Sequence, residues 1–382
     1  MIYLDSAATT PVRREVLDAM WPYLTAEFGN PSSSYALGHR SAEALKLARA
    51  TIAAILNCRA SEIIFTSGGT EADNLAVKGI ALANPRGRHI VTTPIEHEAV
   101  LASCDYLRRH HGFEITHVPV DHFGTVLPAD FAAALRDDTS LATVMLANNE
   151  VGTIQPIAEL AALAKSGNIP FHTDAVQAAG SLDLNIATLG VDALSLSGHK
   201  VGTPKGMGAL YLRSRLQIEP VLHGGGQERG RRSGTENVAG AVGLATALEL
   251  ATADHVDRSS LLTRLRDELI RGILAAVPTA ILTGHPTDRL PGNASFCFPG
   301  TSGEAILLQL EERGILCSSG SACAAGRDEP SHVLMAMGLI PEVAQTAVRL
   351  SLPENLAIED IPQIIGAVYA GCQAVRGVET RI

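Results

Sequence analysis

Three side chains of this chain could do chemistry together if the fold brought them together: Lys200 closing the run LSLSGHK, Asp174 in FHTDAVQ and Cys323 in SSGSAC. An amine can hold an aldehyde, a carboxylate can pair with a cationic ring nitrogen, and a thiolate can accept an atom from a substrate. Taken singly, each has an ordinary reading as a solvated lysine, a strand-end aspartate or a structural cysteine. What gives them chemical meaning is the set of elements that positions them.

Those elements follow a repeating pattern. Short β-branched runs, EIIFTS, HIVTT, FEITHVPV, LATVMLANN, IPFHTDA and DALSLSG, read as strands. Between and before them lie RREVLDAM, SAEALKLARATIAAIL, EADNLAVKGIALA and IAELAALAKSG, whose apolar residues recur at helical spacing. Alternation of this kind predicts an α/β fold around a mostly parallel sheet. After ENVAGAVGLATALELATA the pattern changes to a charged helix from about Ser259 to Ala276, the strand NASFCF, a helix through Glu304–Glu311 and the strand-like TAVRLSL, as in a smaller α+β unit. Asn149, Asp174 and Lys200 all fall at strand ends, where open α/β sheets bind their ligands. The loop TSGGT, Thr66 to Thr70, runs straight into a helix, so its glycines and free backbone N–H groups suit a phosphate. It has neither the Walker spacing nor a GxGxxG fingerprint, which argues against a nicotinamide oxidoreductase.

Composition narrows the class further. With 382 residues, 46% of them hydrophobic, the chain can bury a large core in two or three structural units. A net charge of −10 argues against nucleic-acid binding, the run Arg229, Arg231, Arg232 being a local exception. Six scattered cysteines without CxxC spacing suggest neither a zinc site nor a disulfide framework. MIYLDSAATTPVRRE has no apolar leader segment, and no stretch approaches the length of a membrane span, so a cytoplasmic location is expected with no membrane partner.

Ordered motifs along nearly the whole chain, YLDSAATTPV, FGNPSS, FTSGGTEADNLAVKG, EHEAVL, NNEVGTIQPI, FHTDAVQAAG, SGHK, GGGQERGRRSGTEN, SSGSAC, EPSHVLMAMG and VRLSL, resemble the cysteine desulfurases of the NifS/IscS type, in the class V aminotransferase-like family of pyridoxal phosphate enzymes. The resemblance implies a fold type I architecture in a homodimer: a large pyridoxal 5'-phosphate domain over 11–255 and a small domain from 1–10 and 256–382 that carries the catalytic cysteine. Carried over by motif, Lys200 would bind the cofactor aldehyde and Asp174 its ring nitrogen, while His97 would stack on the ring and assist proton transfer and Gln177 would bond its phenolic oxygen. Gly69, Thr70, Ser197 and His199 would hold the phosphate, joined by Thr235, with Arg232, from the partner subunit. Arg349 would grip the carboxylate of L-cysteine, assisted by Asn149 and Asn30. No metal is implied.

Cys323 sits in CSSGSACAAGRDE, a Gly-, Ser- and Ala-rich segment whose composition suits an exposed, mobile loop. The activity implied is removal of sulfur from L-cysteine, leaving L-alanine and a persulfide on Cys323 for an acceptor protein such as an iron–sulfur scaffold or a thiolation enzyme. Cys317, six residues earlier, reads as a packing thiol. A selenocysteine lyase or another class V relative is the alternative, and SSGSAC argues against a transaminase. The chain departs from the usual family pattern at Val201–Pro204, Tyr35, Ala324 and Pro353, none of them positions expected to do chemistry.

Overall fold

The computed structural model describes residues 1–320 and 329–379. Its strands, in chain order, are β1 (Ile2–Tyr3), β2 (Ile63–Thr66), β3 (His89–Thr92), β4 (Glu114–His117), β5 (Thr139–Thr143), β6 (Phe171–Asp174), β7 (Ala193–Ser197), β8 (Gly208–Leu212), β9 (Ile281–Thr283), β10 (Asn293–Cys297), β11 (Ile315–Leu316) and β12 (Ala347–Ser351). Seven of them form one sheet in the order β2-β8-β7-β6-β5-β3-β4. All run parallel except β8, which is antiparallel to both neighbours. The fold is therefore the expected α/β arrangement with a mostly parallel sheet.

The period-2 alternation of side chains assigns each strand residue to one of two apolar layers. Ile63, Phe65, Leu194, Leu196, Ala209 and Tyr211 pack on one face, under the helices Ala36–Leu56 and Val238–Ala253. Ile64, Ala193, Leu210 and Leu212 point the other way, under Gly69–Ala83 and Glu98–His111. Burial on both faces explains why these strands read as continuous apolar runs. Val238–Ala253 is apolar almost all round, and it is correspondingly buried along most of its length.

A second core gathers around the antiparallel sheet β12-β10-β9, with Phe296, Val348 and Leu350 packing against the helices His255–Ala276 and Ile361–Glu379. Leu4 joins this core, and β1 pairs with β11 in parallel, so the first residues of the chain are built into its last third. Local boundaries differ from expectation in two places. The charged helix starts at His255 rather than near Ser259, and the ladder of β5 covers Thr139–Thr143, after which the chain leaves the sheet toward Asn149. Among the described residues, no helix is long and apolar enough to cross a membrane.

Candidate active site

Where β6 and β7 end, a cavity of about 450 Å³ opens. Asp174 is the last residue of β6, Ser197 the last of β7, and Lys200 closes the 3-10 turn Gly198–Lys200 that follows directly. All three line the cavity, as do Gly69 and Thr70 at the start of the helix Gly69–Ala83. The topology thus converts scattered sequence positions into one wall, because parallel strands deliver their carboxyl ends to a single edge.

Lys200 is held by the segment that follows β1. Its Nζ donates to the carbonyl oxygens of Ala7 and Ala8, the latter at 2.8 Å. Gln177 Nε2 donates to the same Ala7 oxygen at 3.0 Å, and the amide of Thr10 donates to the His199 carbonyl at 3.0 Å. His199 Nδ1 lies 3.2 Å from Thr9 Oγ1, and burial together with Lys200 and Lys205 lowers its pKa to about 4, so the ring is neutral. His97 caps the helix Glu98–His111, its Nδ1 accepting from the Ala99 amide at 3.1 Å, which orients the ring toward the cavity floor.

The floor is acidic and buried. Asp174 accepts from the Val176 amide at 2.9 Å; burial raises its pKa, while His97 and Lys200 pull it down. Beside it lie two carboxyl groups that the motifs did not single out. Asp73 Oδ1 and Glu96 Oε2 are buried without a hydrogen-bond partner, and burial pushes Asp73 well above the usual carboxylate range and Glu96 to about 8. Thr93 Oγ1 and the Met145 amide both donate to the other oxygen of Glu96, at 2.7 and 3.0 Å. His172, 3.7 Å from Asp73, is lowered to about 3 by burial, so its ring is neutral and the contact is no ion pair.

Across the cavity stands Arg349, in the middle of β12 and 2% exposed. Its Nη1 donates to the Asn149 carbonyl and its Nη2 to Asp5 Oδ1, both at 2.8 Å, while Nε has no partner. Glu150 lies alongside, buried, with one oxygen accepting from Ser331 Oγ; burial raises its pKa against the pull of Ser331, His332 and Arg349.

Of the residues expected from the sequence, Gly69, Thr70, His97, Asn149, Asp174, Gln177, Ser197, His199, Lys200 and Arg349 therefore share one cavity. Asn30 and Thr235 are exposed and outside it: Asn30 Oδ1 accepts from the Ser32 amide at 2.9 Å. Arg232 pairs with Glu71 of its own chain at 2.7 Å, beside the helix start that carries Gly69. Cys323 lies outside the described residues. Asp73, Glu96 and Glu150 are the buried acidic lining residues that sequence reasoning passed over. They lie among polar neighbours, in EADN, IEHE and NNEV, and carry no local signal of burial.

The cavity fits an aldehyde cofactor with a phosphate tail. A Cβ added at Gly69 would stand 2.8 Å from Val176 Cγ2 and 3.4 Å from Ser197 Cβ, so glycine keeps open the space where the first amides of the helix point. At the far side, a carboxylate buried at some cost faces the same space as a primary amine, and a cation between them would relieve that cost. Sheet, cradle and amine together define a class of enzyme, the one that works with pyridoxal 5'-phosphate. Within it, the chain belongs to the aminotransferase class-V family, which it matches over residues 2–364.

Individual relatives sharpen the assignment. The chain is 50% identical over 378 residues to a protein of Methanosarcina thermophila named cysteine desulfurase IscS, covering 99% of this chain and 93% of that one. Among solved structures it resembles a NifS-like protein, with a TM-score of 0.90 and 37% identity over 97% of this chain and 98% of the other. It also resembles SspA in complex with cysteine, with a TM-score of 0.80 and 36% identity over 94% of this chain and all of that one (100%).

Proposed function

We propose that the protein is a cysteine desulfurase, which takes sulfur from L-cysteine and leaves L-alanine and a persulfide on Cys323. The observation that carries this reading is the meeting of Lys200, Asp174 and Arg349 in one cavity of a chain that also has the SSGSAC segment. The relatives named cysteine desulfurase and the neighbour solved with cysteine support it.

Bound between Asp174 and Lys200, pyridoxal phosphate supplies an electron sink for the carbon whose bond is broken. Gly69, Thr70, Ser197 and His199 would hold its phosphate, and the imidazole of His97 would lie against its ring with Gln177 at the oxygen edge. Arg349 and Asn149 take the substrate carboxylate, which sets the Cα proton before the Lys200 amine. Lys200 Nζ removes that proton. The Cys323 thiolate then attacks the substrate sulfur: the S–S bond forms, the Cβ–S bond breaks, its electron pair is protonated at Cβ, and the Lys200 amine returns the proton to Cα to give alanine.

Two further parts of the reading concern assembly. Leu17, Trp21, Leu24 and Phe28 are exposed apolar side chains on and just after the helix Arg14–Thr25, and they favour a homodimer in which Thr235 and Asn30 complete the neighbouring cavity. Residues 11–255 form the cofactor unit, and 1–10 with 256–382 the smaller one, a division that the separate apolar cores favour. A cytoplasmic enzyme feeding an iron–sulfur scaffold or a thiolation enzyme fits these features.

The test is Cys323→Ala. The purified variant should still load its cofactor, because every residue assigned to hold it lies elsewhere, yet lose alanine production and protein-bound persulfide. Cys317→Ala should keep both: Cys317 packs against the C-terminal core, and burial lifts its thiol to about 12. Undiminished alanine from Cys323→Ala, or a persulfide mapped by mass spectrometry to Cys317, refutes the proposal.

A further inference from the structure

We infer that Asp5 is a positioning residue for substrate recognition, fixing the guanidinium of Arg349, which lines the cavity, in one orientation. The inference rests on the reading that Arg349 receives the substrate carboxylate. Arg349 lines the cavity and Asp5 does not, so Asp5 holds the arginine without standing where the substrate must go. The two terminal nitrogens are engaged, Nη2 by Asp5 Oδ1 and Nη1 by the Asn149 carbonyl, each at 2.8 Å. With both ends tied, the guanidinium plane has little freedom to rotate. Nε, buried, is the one nitrogen of the guanidinium without a partner, and an unsatisfied buried N–H is costly unless something arrives to accept it.

The anchor is itself anchored. Asp5 Oδ2 accepts from Ser318 Oγ at 2.6 Å, and the backbone of Ser318 bridges that of Arg349, whose amide donates to the Ser318 carbonyl at 2.7 Å. Asp5 also forms a backbone bridge with Ser351, two residues beyond Arg349. A carboxylate held on two sides gives the arginine a fixed reference, whereas a free aspartate could follow it or compete with the substrate. The fork geometry of arginine recognises a carboxylate only when its plane is aligned. Removing Asp5 therefore weakens recognition of the carboxylate and spares the chemistry that follows.

The experiment uses the cofactor-loaded protein. Equilibrium binding of L-alanine is measured by calorimetry, with cysteamine, which has no carboxylate, as the control ligand. Asp5→Ala should weaken L-alanine about tenfold and raise KM for L-cysteine by a similar factor, leaving kcat within about twofold and cysteamine binding unchanged. Ser318→Ala, which releases only Asp5 Oδ2, should weaken L-alanine about two- to threefold with an intact thermal transition, and it carries the test if Asp5→Ala fails to fold. Unchanged or tighter L-alanine binding in the folded variants overturns the inference. Arg349→Ala separates the two claims: if it weakens L-alanine while the Asp5 and Ser318 variants do not, only the inference falls. If Arg349→Ala has no effect either, the reading of Arg349 falls and takes the inference with it.

Discussion

The central sheet has a hollow at each end, and the two could hardly differ more in what they hold. At the ends where the parallel strands begin lies the more spacious one, about 750 Å³, lined by Arg86, Lys165, Asp192 and Arg215 among others. Its one carboxylate is already matched, since Arg215 and Arg213 both reach Asp192, at 3.1 and 2.6 Å, and Arg86 donates to the carbonyls of Asp137 and Gly167 at 2.7 Å. At the opposite end the cavity is smaller, yet it contains carboxyl oxygens with no partner and pKa values displaced by burial. Volume does not distinguish an active site from a surface hollow; unmet polar demand does. A protein bears the cost of burying Asp73, Asp174 and Glu96 only where something compensates for it.

If that contrast is right, Lys200→Ala has the largest effect. Alanine production from L-cysteine should fall by about three orders of magnitude or more, since no other amine is assigned to the cavity for the proton transfer. Retention of more than about a tenth of the activity would mean that another group performs it.

A second effect concerns the buried floor and is read without substrate. Glu96 titrates at about 8 in the folded chain against an ordinary value of 4.5, so between those limits the native state binds a proton that the unfolded state has lost. The contribution of Glu96 to the stability of the cofactor-free protein should therefore be fully present below about pH 4.5 and be lost as pH rises toward about 8, an effect on the order of 5 kcal/mol. Glu96→Gln, always neutral, should flatten that part of the curve of melting temperature against pH. An identical slope in the variant would show that Glu96 is not the titrating group.

The smallest effect belongs to the other hollow. Arg215→Ala should leave activity unchanged and stability within about 0.5 kcal/mol, because its guanidinium is largely exposed and Asp192 keeps Arg213. A large loss of activity there would erase the contrast between the two ends.

Much of this was legible in the sequence, for identifiable reasons. Five strands, β2, β3, β5, β6 and β7, were readable because burial on both faces leaves short apolar runs, the half-exposed edge strand β4 was marked by Ile115 and Thr116, and the polar residues closing β6 and β7 marked the binding edge. GALYL, the strand β8, escaped notice: nothing in a five-residue apolar run tells that it inserts antiparallel between β2 and β7. The helix Glu98–His111 was likewise hidden, its EHEAVL start being read for chemistry rather than for its capping histidine. Asp73 sits in EADNLAVKG where periodicity suggests a polar, solvated face, yet it is 1% exposed, because the helix lays that face over the sheet's carboxyl edge. Such placement is a tertiary fact with no local signature. Glu96 and Asp5 were within recognised motifs, but their partners, Met145 and Arg349, come from distant segments.

The stretch from Leu4 to Thr10 has a consequence for the order in which the molecule assembles. Its bonds reach Lys200 and His199 across about 190 positions, and Asp5 meets Arg349 across 344. Closing loops of that length costs chain entropy that nearby contacts must offset first, so such pairings are made late. The sheet can form its ladders while Lys200 and Arg349 still lack their braces. Catalytic competence should then lag behind secondary structure during refolding, with recovery of activity waiting on the docking of a few residues that contribute little to the bulk of either core.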